Sequence, residues 1–214
     1  MILEVISLLP TKNLLRELLL ACREYLQISK VSDSVSLEMW ITGGWVCDKL
    51  LDIPCSDIDI ALSTMTGERF GHFLTEFLYK IEESYKKRAT ELKVPYAKFS
   101  SFHTTKKNLG KSKKLETAVG TIFGLDLDLV NLRKGVYEED SRTQKMEFGT
   151  TEEDAFRRDA TEALVDLTHK GLDGMAACIL RTPLEPQMTF LDDPLRVLRL
   201  KQRSGRKTNE FTRH

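Results

Sequence analysis

Apolar residues recur every three or four positions in "NLLRELLLACREYL", where Arg16, Glu17, Arg23 and Glu24 hold the opposite face, and this spacing predicts an amphipathic helix from about Lys12 to Leu26. The pattern then changes period. A strand is expected around Leu37 to Thr42, ending in Gly43-Gly44, followed by a short helix starting near Trp45, the turn "DIPCS" and a strand from Asp57 to Leu62. Helical periodicity returns from about Thr66 to Lys87, with Phe70, Phe73, Phe77, Leu78 and Ile81 on the side to be buried. A weakly patterned stretch, Lys93 to Ser101, and the basic loop "KKNLGKSKK" separate this helix from "TAVGTIF" and "LDLDLVNL", which alternate as paired strands joined at Gly124. Beyond a polar stretch at "YEEDSRTQK", a helix start is expected at "TEEDAFRRD", with Thr151 as N-cap and Asp154 at N3. The chain from there to His214 reads as more helical, so a boundary is placed near residue 150.

Composition narrows what such a chain does. With 214 residues, 41% of them hydrophobic, it can bury one good core, or one domain and the start of another. Lys+Arg and Asp+Glu both total 32, so no global field marks a nucleic-acid or membrane partner and any polyanion site must be local. The four cysteines and four histidines are scattered without metal-ligand or disulfide spacing, which points to a reducing compartment. The first helix is too charged for a signal or membrane segment, so a location inside the cell without a membrane partner is expected.

Asp57 and Asp59 interrupt a run that otherwise reads as a buried strand. Residues i and i+2 share a strand face, so the two carboxylates stand side by side while Ile58 and Ile60 turn to the core. Adjacent carboxylates repel unless a cation lies between them, and a hard divalent ion such as Mg2+ takes carboxylate oxygens together with substrate phosphates. An edge strand with a polar face would show the same Asp-Ile-Asp. "LDLDLVNL" repeats the arrangement, however, with Asp126 and Asp128 on one face and leucines on the other. Three carboxylates converging on one sheet face suit two-metal phosphoryl or nucleotidyl transfer. Gly43-Gly44, between strand and helix, permits positive φ and close approach of backbone N–H groups to a phosphate, although an ordinary tight turn also uses such a pair. Lys111, Lys113 and Lys114 suit either a triphosphate or RNA contact, or a solvated face.

Taken together, "GGWVCDKLL…SDIDIAL", "KKLETAVGTIFGLDLDLVNLR", "FGTTEEDAFRRDAT" and "RTPLEPQMTFLDDPLRVLRL" resemble the class II tRNA nucleotidyltransferases, the CCA-adding enzymes, especially those of fungi and other eukaryotes. The resemblance runs from about residue 38 to 200. It implies an α+β fold: a polymerase-beta-type nucleotidyltransferase head, with a small mixed or antiparallel sheet flanked by helices, followed by the start of a helical neck. On this basis residues 1–150 form the head, 151–200 a partial nucleotide-selecting neck, and 201–214 a polar tail unlike the family. The implied activity is addition of C, C and A to the 3′ end of tRNA from CTP and ATP, with two Mg2+ ions and without a nucleic-acid template. Asp57 and Asp59 would hold the metals and Asp128 would be the third carboxylate, near the 3′-hydroxyl. Gly43, Gly44 and Asp48 would serve the nucleotide, with the glycines at its triphosphate. Arg158 and Asp159 would contact the ribose, and Asp193 and Arg196 would read the base edge. An intracellular location, in cytoplasm, nucleus or both with a mitochondrial pool, goes with that activity.

Three features depart from the family pattern. Cys47 stands where the family has Arg, the segment after Thr161 lacks about one strand and its turn, and "DPLRVLRL" leads into the polar "KQRSGRKTNEFTRH" instead of a long helical region. They set a second expectation beside the first: a catalytically impaired, truncated form that binds nucleotide or RNA without extending tRNA. Apolar surface left uncovered beside the neck would then favour self-association.

Overall fold

The computed structural model describes residues 8–31, 34, 36–50, 53–96, 102–104, 117–136, 145–156, 174, 177, 179, 182, 184–192 and 194–201. In chain order these form α1 (Pro10–Ile28), β1 (Met39–Thr42), α2 (Gly44–Leu50), β2 (Asp57–Leu62), α3 (Gly67–Glu91), β3 (His103–Thr104), β4 (Ala118–Ile122), β5 (Leu125–Asn131), β6 (Arg133–Val136), β7 (Lys145–Phe148), α4 (Thr151–Phe156) and α5 (Pro186–Asp192). Residues 195–201 add a last helix, α6.

Five strands make one mixed sheet in the order β1-β2-β5-β4-β3, and β6 and β7 make a separate antiparallel pair. Within the larger sheet only β2 and β5 run parallel; β1 and β4 flank them antiparallel, and β3 closes the far edge antiparallel to β4. A parallel pairing needs a long crossover, and the chain between β2 and β5 supplies it with the 25-residue α3 and the β3–β4 segment.

The two long helices cover one face of this sheet. Leu14, Leu15, Leu18, Leu19, Cys22 and Leu26 form the buried stripe of α1, and Phe70, Leu74, Phe77, Leu78, Tyr85 and Ala89 that of α3. They close over Ile58, Ile60, Leu127, Leu129, Ala118 and Ile122, the alternate residues of β2, β5 and β4. The start of α3 lies directly on β5: Thr66 caps the helix by accepting from the Arg69 N–H at 3.3 Å, and Gly67 faces the Leu129 carbonyl so closely that a Cβ there would overlap it. Glu17 of α1 pairs with Arg88 of α3, and Lys80 donates to the Tyr25 hydroxyl at 2.6 Å, so the helices are also tied along their outer edges.

The β4–β5 hairpin turns on Phe123 and Gly124, both at positive φ (53° and 74°), as a two-residue hairpin whose twist matches its strands requires. Phe123 is an unusual residue for that backbone. Its ring is held between Tyr85, 6.2 Å away centroid to centroid, and Tyr96, at 5.9 Å.

The α4 start differs from the sequence expectation by one residue. Thr150, not Thr151, is the N-cap: the Glu153 N–H donates to its hydroxyl at 3.2 Å, and its own N–H donates to the Glu153 carboxylate at 2.8 Å, a reciprocal capping box. Both threonines are competent caps, and only the path of the chain out of Gly149 decides between them. Strands β3, β6 and β7 were also not expected.

Candidate active site

The face of the sheet away from α1 and α3 carries the acidic residues. In β2, Ile58 and Ile60 are each 2% exposed, while Asp57 is exposed and Asp59 half-buried on the other side. In β5, Leu125, Leu127 and Leu129 are buried, whereas Asp126 is exposed and Asp128 half-buried. The register then joins the two sets, with Asp57 opposite Asp126 and Asp59 opposite Asp128. Because cross-strand partners share a face, four carboxylates form a patch two residues wide and two deep.

Its electrostatics follow from that packing. Burial raises the Asp128 carboxyl above the ordinary carboxylate range, and the charges of Asp57 and Asp126 add to the shift. Asp126 is fixed from the neighbouring strand: the Thr121 hydroxyl of β4, its register partner, donates to it at 3.0 Å. On the other flank Thr42, the last residue of β1, is the register partner of Asp59.

The turn after Thr42 completes the site. Gly43 has φ +78°, which only glycine adopts without cost, and the Asp59 carboxylate lies against it where a side chain would otherwise stand. Gly44 differs: it is the first residue of α2, its φ is not positive, and open space lies where its Cβ would be. Of the two glycines, then, one makes the turn and the other leaves the approach to α2 clear. Asp48, on α2, is the hydrogen-bond partner of the Cys55 thiol, which also reaches the Asp57 carbonyl at 3.6 Å. Burial raises that thiol's pKa and the Asp48 and Asp57 charges add to it, against the lowering effect of the Asp57 backbone. Cys55 therefore stays protonated between two acidic residues at the entrance to β2.

The structure thus gathers Asp57, Asp59, Asp128, Gly43, Gly44 and Asp48 at one end of the sheet. Arg158, Asp159 and Asp193 lie outside the described residues. Arg196, on α6, is 5% exposed and donates from Nη1 to the Thr189 carbonyl of α5 at 3.3 Å. Sequence reading placed Asp126 on the same strand face as Asp128 but gave it no role, and it did not single out Thr121, Thr42 or Cys55. For Asp126 the alternation was the available signal; for the two threonines nothing short of the register could show which carboxylate each would meet.

The donor set on this face consists of hard carboxylate oxygens whose mutual repulsion is already visible at Asp128, and a divalent cation relieves such repulsion. Among the described residues no three His, Cys, Asp or Glu side chains stand close enough together to enclose an ion by themselves. A pair of carboxylates with oxygens from a substrate is the arrangement that Mg2+ adopts most often, so the residues fit that ion.

A mixed sheet with helices on one face and paired carboxylates on the other, beside a glycine turn that opens a helix, is a polymerase-beta-type nucleotidyltransferase head. Residues 39–171 match the Poly A polymerase head domain, and the chain belongs to that family. It is 48% identical over 174 residues to the mitochondrial CCA tRNA nucleotidyltransferase of Saccharomyces cerevisiae, a match spanning 77% of this chain and 30% of that protein. It is 45% identical over 202 residues to Nucleotidyltransferase lcsQ of Purpureocillium lilacinum, spanning 90% of this chain and 33% of that one. The chain therefore spans about a third of the length of these curated relatives. The structure of a CCA-adding enzyme in an apo form superposes with a TM-score of 0.50 at 24% identity, covering 88% of this chain and 41% of that one, and shows the same fold.

Proposed function

We propose that this chain carries the catalytic head of a tRNA nucleotidyltransferase that adds C, C and A to the 3′ end of tRNA from CTP and ATP. The observation that carries the reading is the β2–β5 register, which places Asp57 and Asp59 beside Asp126 and Asp128 on one open face next to Gly43. The relatives named as CCA tRNA nucleotidyltransferases support the choice of tRNA as substrate.

In this reading Asp57 and Asp59 would hold two Mg2+ ions, which when bound would acidify the tRNA 3′-hydroxyl and neutralise charge on the pyrophosphate leaving group. Asp128 is half-buried with a raised pKa, so it is suited to accept a hydrogen bond or a proton at the 3′-hydroxyl. Gly43 and Gly44 would leave room for the triphosphate, because one turns the chain away and the other bears no side chain on the open side. Asp48 would assist from α2. Arg158 and Asp159 would orient the ribose, and Asp193 and Arg196 would hydrogen-bond the base edge. Residues 1–150 would be the head, 151–200 part of the nucleotide-selecting neck, and 201–214 a polar tail. A mitochondrial pool is supported by the mitochondrial relatives, beside cytoplasm or nucleus.

The test is extension of a tRNA lacking its 3′ CCA with labelled CTP and ATP in Mg2+, beside the Asp57→Ala/Asp59→Ala double variant. Label entering only with the intact carboxylates supports the reading. A folded protein that incorporates none would instead be a head that binds nucleotide or RNA without extending tRNA.

A further inference from the structure

A second concave feature lies on the opposite face of β2 from the carboxylates. It is a cleft of about 200 Å3 between α1 and the β1 edge of the sheet, floored by Ile58 and Ile60 and walled by Leu19, Ile41 and Trp45. The register explains its position: Ile41 is the partner of Ile60, so both point to the helix-covered face, but β1 is the edge strand and α1 does not close over it completely. Ile41 is accordingly 36% exposed.

Three polar features border this apolar space. Lys12 and Arg16, one helical turn apart on α1, both line it. Lys12 donates to the Cys55 carbonyl at 3.0 Å and its ammonium lies 5.0 Å from the centre of the Trp45 ring. Among the described residues neither Lys12 nor Arg16 has an acidic partner. Burial holds the Lys12 ammonium below its ordinary pKa, with Cys55 opposing the shift and Lys49 adding to it. The third feature is the indole of Trp45. It is 3% exposed, and its Nε1–H has no acceptor among the described residues, which is costly for a buried donor.

An apolar cavity edged by two cations that have no acidic partner among the described residues lacks one kind of group, an anionic acceptor attached to an apolar body. We propose that this cleft binds a small amphiphilic carboxylate, its apolar chain lying over Ile58 and Ile60 and its carboxylate meeting Lys12 and Arg16. The volume holds on the order of seven water-sized groups, which suits a medium-chain or single-ring acid and excludes a nucleotide. Nothing in this proposal depends on the activity of the carboxylate face.

Both tryptophans of the chain, Trp40 and Trp45, line the cleft, so intrinsic fluorescence reports its occupancy. The experiment is titration of the full chain with octanoate, beside neutral 1-octanol and beside the Lys12→Ala/Arg16→Ala variant, with circular dichroism to confirm that the variant folds. The expected result is a saturable fluorescence change with octanoate that weakens about tenfold or more in the variant and against 1-octanol. The variant removes only one exposed and one half-buried surface cation, so its fold should persist. A second variant, Leu19→Phe, narrows the cleft from the α1 side and should weaken octanoate while leaving both cations in place. A linear, non-saturating response, or equal binding by octanoate and 1-octanol, or an unchanged affinity in the charge variant, would overturn the proposal.

Discussion

The Asp59 carboxylate fills the place that a side chain on Gly43 would take, so the residue that turns the chain and the residue that would hold a metal share one small space. Gly43→Ala has two costs: a positive φ that disfavours any Cβ by about 1–2 kcal/mol, and displacement of the carboxylate. It should lower stability by about that amount and, if the proposed function holds, abolish the Mg2+-dependent extension. Gly44→Ala, with an ordinary φ and free space, should stay within about 0.5 kcal/mol of the parent. Urea unfolding of the two variants separates them, and equal losses would show that the Gly43–Asp59 contact does not constrain the turn.

Gly67 sets how closely α3 approaches the sheet. A Cβ there would overlap the Leu129 carbonyl, and a backbone atom of the central β5 strand cannot yield as a flexible side chain can. Gly67→Ala should therefore cost about 1–3 kcal/mol, despite the higher helix propensity of alanine. A variant as stable as the parent in thermal unfolding would mean that α3 can shift without loss.

Cys22 makes stability depend on alkaline pH. Burial pushes its thiol from an ordinary 9.0 up to about 12. Above pH 9 the unfolded chain releases this proton while the folded chain keeps it, so the unfolded state binds fewer protons and stability falls as pH rises. The contribution is complete below pH 9 and is lost between pH 9 and about 12. Cys22→Ala should be less stable at pH 8 because of the cavity, yet decline less steeply with pH than the parent. Parallel curves in denaturant titrations from pH 8 to 11 would refute the role of this thiol.

The capping box at α4 gives a local prediction. Thr150→Ala should destabilise the start of that helix by about 1 kcal/mol, and Thr151→Ala should have a smaller effect. Amide hydrogen exchange at Glu153 reads the difference directly, and faster exchange in Thr151→Ala than in Thr150→Ala would return the cap to Thr151.

How far the sequence could be read depended on whether a feature is written in one segment or shared between two. The bounds of β2 were legible because Asp57, Ile58, Asp59 and Ile60 alternate without interruption and the DIPCS turn precedes them. The helices α1 and α3 were legible from their stripes. The capture of Asp126 by Thr121, the contact between Gly43 and Asp59, and the parallel direction of β2 against β5 were not, since each depends on which segments meet. The small β6–β7 pair was missed because Arg133 to Val136 shows no alternation of apolar and polar residues, and the four alternating residues Lys145 to Phe148 are too few to mark a strand without a visible partner. The i, i+2 alternation put Asp57 with Asp59 and Asp126 with Asp128 on shared strand faces, as the register shows, but nothing in the sequence pointed to the cleft behind them.

The parallel β2–β5 pair has a kinetic consequence. Every other contact in the larger sheet joins strands close in sequence or adds an edge, whereas Asp57 must wait for Asp126 until α3 and the hairpin have been placed between them. Closing that long loop is the slow, entropically costly step of such a topology. Neither acidic strand presents the four-carboxylate face alone, so any ability of that face to gather a divalent cation, as proposed above, should arise late in folding, at the same moment as the last large closure. A nascent or partly unfolded chain would then carry all four aspartates without a competent site, and recovery of metal affinity would time the completion of the fold.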